Sequence, residues 1–208
     1  MRISHLALVL LLGLWACSTE KQPETADTPP SAEESDWISL NSLDAWRNFK
    51  QDTLSPLWQV EDGSITLTDR GGGDIVTKET FESFVLEMEW KISEGGNSGI
   101  FFHVSEADSL GAVYHSGPEM QVLDDERHPD REKPSHRAGA NYDLHTCEVV
   151  SVKPAGEWNA VRLVVDNGHV EHWLNGEKVV DYTLGSPDWE ARYAASKFTQ
   201  WPAYGRAG

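Results

Sequence analysis

The sequence has 208 residues, with 34 Asp and Glu against 17 Lys and Arg. So acidic a balance argues against nucleic acid and anionic lipid surfaces as partners, because phosphate binding needs clustered cations; metal cations and neutral polar ligands stay open. Trp37, Trp46, Trp58, Trp90, Trp158, Trp173, Trp189 and Trp201 suit either a β-sandwich core or stacking on the apolar face of a sugar, and most are expected in the core.

In chain order, "MRISHLALVLLLGLWACS" has a basic start, an apolar run from Leu6 to Leu14 and small residues before Cys17. That is the layout of an export signal, expected over residues 1–16, and too short for a membrane-spanning helix with its flanks. The "LWAC" ending resembles a bacterial lipoprotein lipobox, which implies cleavage before Cys17, acylation of that cysteine and a membrane-anchored, exported protein on the periplasmic face or the cell surface. Residues 17–36 are rich in Ser, Thr, Glu and Pro and read as a flexible tether. Residues 37–208 are long enough for one domain with a real core. With Cys17 lipidated, Cys147 has no intrachain disulfide partner and reads as a small buried side chain rather than a nucleophile.

Within the domain, "FVLEMEWKI" alternates Phe84, Leu86, Met88 and Trp90 against Val85, Glu87, Glu89 and Lys91, a strand with one wet face. "SEGGNSG" reads as a glycine-rich turn, "IFFHV" as a more buried strand and "PEMQVLD" as another. In the last, Met120 and Val122 share one face, and Glu119 and Gln121 share the other. That polar face meets plain solvent or lines a pocket. The polar segment from Asp124 to Leu144 is a long loop, and loops of that length are usually functional or mobile. Asn167-Gly168 and Asn175-Gly176, each between strand-like runs, predict two tight hairpins and a three-strand meander. If Asp166 faces His169, then Leu163 faces His172 and Arg162 faces Trp173. His172 then shares a face with Leu163, Val165, Val170 and Leu174, the place of a buried histidine satisfied by a backbone carbonyl. Helical periodicity is confined to "SLDAWRNF" and "WEARYAASKF". Many short strands with Gly/Asn turns imply an all-β, two-sheet sandwich or jelly roll.

"NSGIFFHV", "GPEMQVLDDERHPD", "AGANYDL", "GEWNAVRLVVDNGHVEHWLNGEKVVDY" and "SKFTQWPAYG", in this order, resemble the 3-keto-disaccharide hydrolase domain family, from about Trp37 onward. The resemblance implies a concanavalin A-like jelly roll and action on glycosides oxidised at carbon 3. It implies catalytic roles for Glu119, Gln121, Asp124 and His172, and substrate contacts from Asn97, Ser98, His103, Tyr142, Asp143, Trp173 and Lys197. The family pattern continues past "WPAYG" with a Leu-Gln-Asp-His-Gly strand and a final strand; here the sequence stops at Gly208, so a C-terminal truncation with unpaired strand edges is expected.

A ketone at carbon 3 acidifies the proton at carbon 2. A base can then expel the aglycone from carbon 1 by β-elimination, and water can add back. Such a site needs a base, a group that stabilises the enolate oxygen and a proton donor. Glu119 and Gln121 suit the first two tasks, and a divalent cation bridging the keto and hydroxyl oxygens would serve as Lewis acid, its ligands unassigned. Direct hydrolysis by two carboxylates, Glu119 with Asp124 or Asp143, is the other chemistry. Asn97 and Ser98 equally suit a turn, Tyr142 and Asp143 a pocket wall, and Asp125 and Glu126 a solvated loop start. His115, His128, His136 and His145 show no metal-ligand spacing and read as surface residues. A non-catalytic, lectin-like glycan-binding domain is the alternative to an enzyme.

Overall fold

The computed structural model describes residues 37–206. The export signal, Cys17 and the tether fall outside the described residues. After a 3-10 turn at Leu43–Ala45, the strands are β1 (Trp46–Asn48), β2 (Trp58–Glu61), β3 (Ser64–Leu67), β4 (Ile75–Thr77), β5 (Phe84–Trp90), β6 (Asn97–Phe101), β7 (Glu119–Leu123), β8 (Asn159–Asp166), β9 (His169–Leu174) and β10 (Glu177–Thr183). One α-helix follows, α1 (Pro187–Ala195), and then a 3-10 turn at Lys197–Gln200.

The helical expectation for "SLDAWRNF" is corrected. Ser42 caps only the three-residue 3-10 turn, after which Trp46 is extended and β1 pairs antiparallel with β4. The second expectation is met in part, since Ser186 caps α1 by accepting from the Trp189 amide. "SEGGNSG" is a turn only as far as Gly96, because Asn97, Ser98 and Gly99 already belong to β6.

The meander forms as the Asn-Gly pairs require. Asn167 and Gly168 have φ of 48° and 84°, and Asn175 and Gly176 have 51° and 87°, the left-handed pair that a tight hairpin needs. Asp166 pairs with His169, Leu163 with His172 and Arg162 with Trp173. β10, β9, β8 and β5 form one antiparallel sheet in that order. On its inner face Leu163, Val165, Val170 and Leu174 are almost fully buried, while Arg162, Glu171 and Trp173 point outward.

Across the core lies the ribbon of β6 and β7, in which Gly99 pairs with Gln121 and Phe101 with Glu119. The other edge of β7 is paired as well. The Gln121 amide donates to the Ala140 carbonyl (3.0 Å), the Gly139 amide to Gln121 (2.8 Å) and the Tyr142 amide to Glu119 (3.0 Å). The loop after β7 therefore returns as a third strand-like segment, carrying two short 3-10 turns at Pro129–Glu132 and Pro134–His136. Met120, Val122, Leu123, Ala138 and Leu144 from this layer meet the sheet's inner face in one cluster, closed by Trp189, Phe198 and Tyr204. The molecule is an all-β sandwich. The expectation of mostly buried tryptophans is corrected: only Trp90 and Trp189 are buried, while Trp37 and Trp158 are 55% and 40% exposed. Trp158 precedes β8 on its outward-facing register, and the Lys91 ammonium lies 4.8 Å from its ring.

Candidate active site

Glu119 opens β7, where the strand leaves the core and its side chain is only partly covered. Its carboxyl folds back across the neighbouring strand and lies directly over Gly99. Among the described residues no donor hydrogen-bonds to it. Burial, opposed by Lys197 and reinforced by Asp74 and Asp130, pushes the Glu119 carboxyl up to about 8.

The loop returning beside β7 builds the surroundings. The Tyr142 amide is held by the Glu119 carbonyl, and the Tyr142 hydroxyl lies 3.4 Å from Asp130 Oδ2. Asn97 Nδ2 reaches the same oxygen at 3.3 Å. Burial, then Asp130 and Glu119, raise the Tyr142 phenol well above its ordinary range, so it stays protonated. The Lys197 ammonium lies 4.4 Å from the centre of the Tyr142 ring, a cation–π contact, and its charge acts on the Glu119 carboxyl.

Asp143 underpins this cluster. Its φ of 66° is left-handed, a conformation Asp tolerates better than most residues. Its carboxylate accepts from the Lys133 ammonium, pairs with His136 Nε2 at 3.0 Å and accepts from the Lys197 amide at 3.1 Å. Burial would raise its proton affinity, but Lys133, His136 and the Lys197 amide outweigh that and hold it below the usual carboxylate range. Asp143 is thus a fixed anion that ties Lys197 to the loop. His136 also stacks on Tyr142 with ring centres 4.0 Å apart.

Other expected site residues have other partners. Gln121 is 1% exposed: its Oε1 accepts from the Val122 amide at 3.1 Å and its Nε2 has no partner among the described residues. The pure alternation expected for β7 is corrected here, because from Met120 onward both faces are covered. Asp124 accepts from the Gly95 amide (2.7 Å) and the Glu126 amide (3.0 Å) and so joins two turns. Ser98 is exposed and pairs with Val122, one position out of phase with Glu119. His103 has a φ of 51°, and its Nε2 lies 2.8 Å from the Glu82 carbonyl. His172 is fully buried, with Nδ1 3.0 Å from the Gly139 carbonyl, and burial pushes its imidazole down to about 4. Trp173 donates to Glu171 at 2.8 Å on the outer face of the sheet.

The structure brings Glu119, Tyr142, Asp143, Lys197 and Asn97 together, and it adds His136, Lys133 and Asp130. Two histidine expectations are corrected. His136 belongs to the Asp143 cluster, and His145 is buried, stacked on Tyr182 at 4.6 Å. Burial likewise pushes the Cys147 thiol up to about 11, the value of an unreactive group.

Among the described residues, one group of three donors is close enough to share a cation: His169, Glu171 and Asp181 on the outer sheet face. The Lys178 ammonium already bonds to both carboxylates there, at 3.2 and 2.5 Å, which makes the group a charge-paired surface network.

The family model of the 3-keto-alpha-glucoside-1,2-lyase-like domain matches residues 36–203. A 3-keto-disaccharide hydrolase of Bacteroides thetaiotaomicron is 38% identical over 182 residues, 77% of this chain and 63% of that protein, so the chain spans less than two thirds of the relative's length. A solved structure from Parabacteroides distasonis ATCC 8503, named a "putative glycosyl hydrolase", superimposes with a TM-score of 0.70 at 34% identity, covering 78% of this chain and 77% of that one. A second structure of that name from the same organism shares the fold, with a TM-score of 0.53 at 24% identity over 70% of this chain and 63% of that one. This chain belongs to the 3-keto-alpha-glucoside-1,2-lyase-like domain family.

Proposed function

We propose that the chain cleaves the glycosidic bond of 3-keto-glycosides by β-elimination, with Glu119 as the base. The observation that carries this is a partly open carboxyl with no hydrogen-bond donor among the described residues and a proton affinity raised to about 8. An ordinary carboxylate is a weak base toward a C–H bond, whereas one with its conjugate acid near 8 is matched to proton abstraction near neutral pH. Glu119 takes the proton from carbon 2. The electron pair forms the double bond between carbons 1 and 2 as the bond from carbon 1 to the aglycone oxygen breaks. The Lys197 ammonium stabilises the negative charge on the keto oxygen, and the protonated Tyr142 phenol supplies the proton to the leaving oxygen. Water adding across the double bond would complete a net hydrolysis. The names of the relatives support this substrate class.

The test is aglycone release from a 3-keto-glucoside. Glu119→Gln should lower the rate at least ~100-fold, in the range usual for loss of a positioned base. An undiminished variant would overturn the reading. Acylation of Cys17 is proposed on the lipobox-like sequence alone. Cys17→Ser should move the protein from the membrane to the soluble fraction, and unchanged fractionation would remove the lipid anchor.

A further inference from the structure

Several glycines of this chain sit where a side chain would collide with its surroundings. A Cβ on Gly72 would meet Leu67 and Trp58, one on Gly96 would meet Ile92, and one on Gly117 would meet Val104. Those are packing constraints. Gly99 differs, because the three atoms nearest its would-be Cβ all belong to one carboxyl side chain. They are Glu119 Oε1 at 2.1 Å, Cδ at 2.7 Å and Cγ at 2.8 Å. Gly99 does not have a positive φ, so its backbone would accept any residue. Glycine in a strand interior costs stability and commonly marks a close approach. Here the approaching group is the carboxyl that the proposed reaction uses.

We propose that Gly99 is a positioning residue for Glu119: by lacking a side chain it forms the seat on β6 into which the Glu119 carboxyl folds, and so fixes where the carboxyl meets substrate. This rests on the reading of Glu119 as the base. Residues paired across the ribbon alternate faces, and Gly99 sits opposite Gln121, two residues along from Glu119 on the same face. The side chain of Glu119 can therefore lie diagonally over β6 only if that position is empty. Pushed off this seat, the carboxyl would leave the cover that desolvates it. It would also lose its arrangement against the groups facing it: Lys197, Asp74 and Asp130, with the phenols of Tyr142 and Tyr204.

The experiment is a two-by-two set of variants of the whole chain: wild type, Gly99→Ala, Glu119→Ala and the double variant. Melting is measured without substrate. Gly99→Ala should be less favourable to Tm in the wild type than in the Glu119→Ala background, where the alanine meets no carboxyl and should leave Tm unchanged or raise it, since alanine removes chain entropy from the unfolded state. A penalty of equal size in both backgrounds would overturn the proposal, because it would show that the alanine collides with something other than Glu119. The second readout is the pH profile of turnover. In Gly99→Ala the midpoint near 8 should move down toward the ordinary carboxylate range, with kcat reduced about 10-fold or more. An unmoved midpoint would also overturn it. The melting cycle needs no turnover, so failure of the proposed reaction and failure of the seat are told apart.

Discussion

Glu119 begins β7 and Asp124 directly follows its end, and the two carboxylates carry their protons under opposite conditions. Asp124 is 2% exposed and is held below the usual range. Burial would raise it, but the amides of Gly95 and Glu126 and the guanidinium of Arg127 more than compensate. Glu119 is partly open and receives no hydrogen bond among the described residues, and it is pushed up to about 8. Burial raises both; at Asp124 the donors outweigh it, and at Glu119 only Lys197 opposes it. The donor-rich end of the strand is a joint between turns, and the donor-poor end is the site proposed for proton transfer.

The sharpest way to break this comparison is Asp124→Ala. It would remove the charged acceptor of two amides on exposed residues, which water can then reach, so urea denaturation should show a loss of roughly 1.5–3 kcal/mol, the range of a hydrogen bond to a charged group. A loss below ~0.5 kcal/mol would mean that those turns hold without the carboxylate.

The opposite sign is expected at the other end. A carboxyl whose folded pKa lies above its unfolded value stabilises the fold fully only below the unfolded value, and that stability is lost as pH rises through the folded one. For Glu119 the window runs from 4.5 to about 8. Glu119→Gln should therefore match wild type near the bottom of the window and exceed it above the top, by about 1–3 kcal/mol for a partly solvated carboxyl. Equal stability across the window would show that Glu119 ionises without penalty. A smaller effect, independent of pH, should come from Gly168→Ala. Its φ of 84° demands glycine, and the loss should be about 1 kcal/mol by thermal melting at any pH.

The meander was legible in the sequence down to its register, because an Asn-Gly turn fixes which residues face each other and a single apolar stripe then decides the inner face. Asp62-Gly63, with φ of 49° and 79°, is the same kind of turn and joins β2 to β3. Alternation singled out Glu119 but misjudged Gln121. Period two reports on one covered face, and β7 is covered on both because a loop from 20 residues further on pairs with its second edge. The cluster of Tyr142, His136, Asp143 and Lys197 had no local pattern to reveal it. Those residues meet through a left-handed turn at Asp143 and a 3-10 turn at Lys197, neither of which leaves a periodic trace. His145 looked like a loop histidine for the same reason, since its burial depends on Tyr182 of β10.

The most direct test of the contrast between the two ends of β7 is a carboxyl-carbon NMR titration of the wild-type chain, with Glu119 assigned by its loss in Glu119→Gln and Asp124 by its loss in Asp124→Asn. The expected result is a Glu119 midpoint near 8 and an Asp124 midpoint below the ordinary value of 3.8. A Glu119 midpoint near its ordinary 4.5 would contradict the central claim, because the base proposed for the reaction would then be an unremarkable surface carboxylate.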